Sequence, residues 1–382
     1  MDRRHFMRTG GLMAAGTVSF PRVTLTRADK AKLKQLRSSV NFIWDGLALS
    51  PLEYSDLLMQ LADKGKIRMD YYSNGGIVEE LENKFAQWLG KESAVFMPTG
   101  TLANHIALRK LAGGSRRVIV QANSHIYNDS GDCAQTLSNL NLIPLGKNKV
   151  CFSLDDVVRT IEQTQGGRVA TGIGAVSIES PVRRNVDRIS SYNEMKVITA
   201  YAKEIGIGLH MDGARLFVQS THTGISPAEY GELFDTVYTS LYKCFNAASG
   251  AILAGPKKIT EGLFHMRRMF GGGLPCVWPF AAVALQYVDT FIDDYSSAYS
   301  KAQKFFAILE QDERFKIKKF EDGTHIVQLI IKGGNFQKLK TGLSKKNVQL
   351  RSPNKEGFLL KINPSMNRMK PERLAGYFID SL

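Results

Sequence analysis

A chain of 382 residues, 43% of them hydrophobic, is long enough for one large domain and a smaller one, each with its own core. Its formal charge of +14 raises the question of nucleic acid, yet Lys147, Lys149, Lys257, Lys258, Lys345 and Lys346 are scattered and no nucleic-acid module accompanies them. No nucleic-acid partner is expected, and the basicity suits an anionic cell envelope or attraction of acidic substrates. Cysteines at 133, 151, 244 and 276 are too sparse for a disulfide framework or a zinc pattern, so no metal site is expected either.

Residues 1–28 open with Asp2-Arg3-Arg4-His5-Phe6-Met7-Arg8, followed by a short, weakly apolar stretch rich in Gly and Ala. This pattern is that of a twin-arginine export signal, with Ala14-Ala15-Gly16 offering small residues for cleavage. The apolar stretch is too short to span a membrane, so no stable anchor is expected. The expected destination is the periplasm, with a cytoplasmic protein bearing a basic tail as the alternative. Residues 29–69 form an N-terminal segment. From 70 to 289 short apolar runs alternate with helical stretches such as Tyr192 to Ile205, which implies α/β architecture with a mostly parallel sheet.

Within that region Ala94-Val95-Phe96-Met97 reads as a strand and Thr99-Gly100-Thr101 as a small-residue turn opening a helix. Free N–H groups and the helix dipole at such a turn suit a phosphate, though Thr99 and Thr101 also make ordinary caps. His125 follows the apolar run Val118-Ile119-Val120. Next, Ile205-Gly206-Ile207-Gly208-Leu209 reads as a buried strand delivering Asp212, and Phe234 to Ser240 as another delivering Lys243. Residues 290–382 begin with a long helix, Thr290 to Gln311, and continue as strands and helices suited to a small α+β domain.

Asp212 and Lys243, each ending an apolar strand, point to pyridoxal 5'-phosphate. Its chemistry needs a lysine amine to hold the aldehyde as a Schiff base and a carboxylate to keep the pyridine nitrogen protonated. In an open α/β sheet, ligands collect outside the carboxyl ends of the strands, where both residues fall. His125, otherwise an ordinary polar residue, belongs there as a group that shields the ring and exchanges protons.

These residues resemble the threonine aldolases and related β-eliminating lyases, pyridoxal-phosphate enzymes of the aspartate-aminotransferase fold type I. The resemblance runs from about Asp70 to Leu285 and is strongest over Leu81 to Leu108, His210 to Phe217 and Lys243 to Gly273. It implies Lys243 as the Schiff-base lysine, Asp212 as the partner of the ring nitrogen and His125 stacked on the ring. Gly100 and Thr101, with Ser240, would hold phosphate. Arg215 would sit beside cofactor and substrate carboxylate. Tyr72 and Arg268 match residues that reach a neighbouring subunit's site, which implies a homodimer or homotetramer.

Three positions depart from the family pattern. Ile43-Trp44-Asp45-Gly46 replaces Arg-Ser-Asp-Thr, so an indole stands where a serine contacts the substrate carboxylate. Leu274-Pro275-Cys276 replaces Met-Arg-Gln, removing a basic residue near phosphate. Phe358-Leu359-Leu360-Lys361-Ile362 replaces Arg-Leu-Val-Thr-His, removing a second arginine for the carboxylate, and Arg351 is a candidate substitute. The expected activity is retro-aldol cleavage of a β-hydroxy amino acid, a small-molecule substrate. β-Elimination or transamination is the runner-up, and a cofactor-binding protein without turnover is the third reading.

Overall fold

A computed structural model describes residues 26–333 and 335–382, so the twin-arginine motif at Arg3 and Arg4 lies outside the described residues. Strands follow in the order β1 (Val40–Asn41), β2 (Ser93–Met97), β3 (Arg117–Gln121), β4 (Asn141–Leu145), β5 (Ile173–Glu179), β6 (Gly208–Asp212), β7 (Thr236–Ser240), β8 (Ala251–Gly255), β9 (Phe315–Lys319), β10 (Ile326–Ile331), β11 (Val348–Gln349) and β12 (Gly357–Lys361).

Seven of them form one sheet in the order β2-β8-β7-β6-β5-β3-β4. Every pairing from β7 through β6, β5 and β3 to β4 is parallel, and β8 alone runs antiparallel to its neighbours β2 and β7. All five residues of β7 and of β8 are buried, so both faces of the sheet centre are covered, as a parallel sheet wrapped by helices requires. The fold is the α/β arrangement expected from the alternation of apolar runs and helices.

Two strand starts lie further along the chain than the apolar runs suggest. Ile205 caps the helix Tyr192–Glu204, and Gly206 takes a positive φ of 72° to turn the chain, so β6 begins at Gly208. Phe234 likewise ends the helix Pro227–Leu233, and β7 begins at Thr236. Apolar content alone cannot separate a buried helix end from a strand start.

The C-terminal part holds a three-stranded antiparallel sheet, β12-β10-β9. Its core is separate from the main one and gathers Phe305, Leu329, Leu343, Phe358 and Phe378. Val40 and Phe42 belong to that same core, because β1 pairs in parallel with β11, Val40 opposite Val348. The N-terminal segment therefore crosses the molecule. It pairs with β11 and then passes over the large sheet beyond the end of β7, where Leu47 N–H donates to Asn246 Oδ1 at 2.7 Å.

Candidate active site

The site is built where the parallel strands end. The segments after β2, β3 and β7 supply Thr99-Gly100-Thr101, His125 and Lys243, while β5 and β6 end on Glu179 and Asp212. All line one cleft of about 880 Å³, within the range of small-molecule sites. Its other wall comes from Ile43, Trp44 and Asp45 of the N-terminal segment and from Ile326, Arg351, Leu359 and Lys361 of the C-terminal part.

Asp212 is fixed by a chain of buried groups. Asn104 Nδ2 donates to Asp212 Oδ2 at 2.6 Å, and Ala214 N–H to Oδ1 at 3.2 Å. Asn104 Oδ1 lies 2.9 Å from His210 Nε2, and His210 Nδ1 lies 2.8 Å from Thr236 Oγ1. Burial pushes His210 down to about 4, so its ring is neutral with one nitrogen donating and the other accepting. That tautomer gives Asn104 a donor on its oxygen side and commits its amide to the carboxylate.

Lys243 follows β7. Burial, helped by the nearby Arg215 guanidinium, brings its ammonium down to about 8, so a large fraction is a free amine at mildly alkaline pH. Burial lowers His125 from its ordinary value as well, leaving a neutral imidazole at pH 7. Glu179 pins the His125 loop. Its carboxyl accepts from His125 N–H at 2.5 Å and from Arg183 N–H at 2.9 Å. Burial, with Asp212 alongside, pushes Glu179 up to about 8, so it holds its proton at neutral pH.

A phosphate fits at the start of the helix α1 (Gly100–Ala112). Thr99 Oγ1 caps it by accepting from Leu102 N–H at 3.1 Å, which leaves the N–H groups of Gly100 and Thr101 without intrahelical partners. Gly100 must be glycine, since a Cβ there would collide with the Tyr238 hydroxyl. Ser240, the other expected phosphate ligand, is fully buried behind the residues that line the cleft, and its hydroxyl has no hydrogen-bond partner among the described residues.

Arg215 lies at the cleft, as the sequence suggests, and is heavily paired. Its guanidinium is committed to protein: Nε and Nη2 donate to the two Asp45 oxygens at 3.0 and 3.1 Å, and Nη1 lies 3.3 Å from Asp187. A substrate carboxylate at Arg215 would compete with that buried bidentate pair for the guanidinium. Lys361 Nζ also pairs with Asp45 and lies 3.6 Å from Asp187, and His325 Nε2 lies 2.9 Å from Asp45. Burial alone would raise Asp45, but Arg215 and Lys361 hold it well below the usual carboxylate range. Asp45, Asp187 and His325 come close enough to share a metal ion, yet the carboxylate oxygens already face two protein cations.

Of the remaining expected residues, Trp44 stands on the cleft rim, 56% exposed. Arg351 also lines the cleft and donates from Nη2 to the Ile43 carbonyl at 2.8 Å. Tyr72 and Arg268 do not line the cleft of this chain. They stack on each other, the guanidinium 4.7 Å from the ring centre. Sequence reasoning missed Asn104, His210, Glu179, Asp45 as a clamp, Asp187, His325 and Lys361. Glu179 had the same signature as Asp212, an acid closing an apolar run.

A lysine with a depressed pKa, a carboxylate held from behind and a phosphate cradle at one sheet edge define a pyridoxal-phosphate enzyme of fold type I. The chain belongs to the beta-eliminating lyase family, whose pattern residues 66–330 match. It is 27% identical to a low-specificity L-threonine aldolase of Candida albicans over 71% of this chain and 72% of that one. A similar low-specificity L-threonine aldolase of Saccharomyces cerevisiae is 27% identical over 60% of this chain and 59% of its own. Among solved structures, one from Exiguobacterium sp. 255-15, assigned as an aromatic amino acid beta-eliminating lyase/threonine aldolase, superposes with a TM-score of 0.73 at 23% identity. It covers 91% of this chain and 99% of that one, a likeness of fold.

Proposed function

We propose that the protein is a pyridoxal-phosphate-dependent aldehyde-lyase that cleaves a β-hydroxy amino acid between Cα and Cβ. The observation that carries this reading is the convergence of Lys243, Asp212, His125 and the Thr99-Gly100-Thr101 cradle in one cleft. When bound, pyridoxal phosphate supplies an electron sink for the charge left on Cα as the bond breaks. Lys243 would provide the amine that holds the cofactor's aldehyde, and its lowered pKa makes that amine available near pH 8. Asp212, held by Asn104, would pair with the ring nitrogen and favour its protonated form. His125, neutral at pH 7, accepts the β-hydroxyl proton. Arg351 takes the α-carboxylate, the role that the committed Arg215 leaves open.

Aldehyde release from threonine and allo-threonine, measured beside pyruvate release from serine, tests the reading. Aldehyde is the expected product. Pyruvate in its place would mean β-elimination, amino-group transfer to an added oxo acid would mean transamination, and no turnover of a broad amino-acid panel by cofactor-loaded protein would leave a binding protein.

Two finer readings belong to the same proposal. The protein works as a homo-oligomer: Met69 (71% exposed), Tyr71 (76%) and Met269 (56%) surround the Tyr72–Arg268 pair as an apolar surface suited to a second copy. It is exported by the twin-arginine route, on the strength of Arg3-Arg4 and the weakly apolar stretch behind them.

A further inference from the structure

The charges lining the cleft do not cancel. Arg215 and Lys361 are matched by Asp45 and Asp187. Asp212 faces the Asn104 amide and is kept for the ring nitrogen, and Glu179, which holds its proton at neutral pH, accepts from backbone N–H groups. With Lys243 committed to the cofactor's aldehyde and the phosphate to the Gly100–Thr101 N–H cradle, three guanidiniums remain, Arg183, Arg184 and Arg351. Arg184 donates to both Asp129 oxygens at 3.0 and 2.7 Å, while Arg183 is 3.8 Å from that same carboxylate. The Arg183 and Arg184 side chains are 55% and 46% exposed, so both are within reach of a ligand entering the cleft. Arg351 has only the Ile43 carbonyl as side-chain partner among the described residues.

One acid thus serves two arginines, and a third arginine is unpaired. An amino acid with a neutral side chain brings one carboxylate and leaves a guanidinium of the Arg183–Arg184 pair without a counter-charge. Arg183 and Arg184 stand on the loop after β5, where Arg183 N–H donates to the same Glu179 carboxyl that accepts from His125 N–H. Arg351 stands across the cleft beside Trp44.

We infer that the cleft selects amino acids carrying a second anionic group, the α-carboxylate going to Arg351 and the side-chain anion to Arg183 with Arg184 beside it. This rests on the aldehyde-lyase reading for its chemistry and on the arginines for its specificity. A β-hydroxy amino acid with a side-chain carboxylate, such as β-hydroxyaspartate, is the substrate class. In its cleavage the Cα–Cβ bond breaks, the β-hydroxyl proton passes to His125, Cα takes up a proton, and glycine and glyoxylate leave together.

Calorimetric titration of the cofactor-loaded protein with aspartate and with 2-aminobutyrate reads the subsite without turnover. Aspartate is expected to bind about tenfold tighter or more, the scale of one charge-assisted hydrogen bond. Arg183→Gln should erase that ratio, Arg184→Gln reduce it and Arg183→Lys keep part of it, each checked for retained cofactor absorbance. In turnover, kcat/KM for β-hydroxyaspartate should exceed that for threonine by a similar factor. Equal affinities in the wild type, or an unchanged ratio in folded Arg183→Gln, would overturn the subsite. The wild-type comparison decides alone where a variant does not fold. Cleavage of threonine without any preference for anions would leave the lyase reading standing and remove this one. A preference for aspartate with no β-hydroxy amino acid cleaved would do the reverse.

Discussion

The two walls of the cleft differ in how their polar groups are held. On the sheet side each group sits at or just beyond a strand end and is fixed from behind by buried neighbours, as Asp212 is by Asn104 and His210. On the opposite side the groups come from chain segments 280 to 316 residues apart, Asp45 with His325 and Lys361, and an ion cluster joins them to Asp187 and Arg215. Chemistry common to many substrates belongs on the strand ends, and discrimination among substrates on loop residues, Arg183 and Arg184 just past β5 as well as Trp44 and Arg351 opposite. Damage to the strand-end groups should therefore abolish turnover, whereas damage to the loop residues or the ion cluster should alter selectivity or stability.

The largest effect is expected at Lys243. Lys243→Ala should abolish turnover and remove the visible absorbance of the bound cofactor, read by spectroscopy of the purified protein. A retained, reducible linkage would assign the role to another lysine. Asp212→Asn comes next. Cofactor should still bind, while kcat falls by roughly 10²-fold or more, as when a preorganised electrostatic stabiliser is removed. Near-normal kcat would break the division between walls.

On the second wall, Lys361→Met removes one of two cations from a buried cluster whose carboxylates remain. A loss of roughly 3–5 kcal/mol in unfolding free energy is expected from denaturant titration. The pH dependence sharpens this. Asp45, held below its ordinary pKa, contributes stability that is present above the unfolded value and lost as pH falls through the folded one. Without Lys361 that folded value rises, so the acid-unfolding midpoint should move to higher pH. Smallest is Trp44→Ser. The wild type is expected to favour phenylserine over threonine through packing on the exposed indole, and the variant should narrow that ratio within about tenfold, measured as kcat/KM.

The same contrast explains what could be read from sequence. Lys243, Asp212, His125 and Gly100 were legible because each stands just after, or ends, a local apolar run, and a strand fixes where its last residue points. Asn104 and His210 were not, since both lie inside elements and only the packing of α1 against β6 makes them neighbours. Lys361 was hidden differently. Comparison position by position recorded a lost arginine at Phe358, yet Phe358 points into the C-terminal core while Lys361, at the end of the same strand β12, carries its charge to Asp45. The ion pairs of Arg215 were hidden as well, because its partners Asp45 and Asp187 lie 170 and 28 residues away in the chain.

The pairing of β1 with β11 also sets an order of events during synthesis. Asn41 lies against Ser365 and Asn363, 324 and 322 residues further on, so these contacts cannot form until the last strands have left the ribosome. Every strand of the large sheet, with Lys243 and Asp212, has by then been made. A growing chain thus exposes an electrophile-seeking amine before the wall that screens its ligands exists, and loading of the cleft becomes selective only at the end of translation.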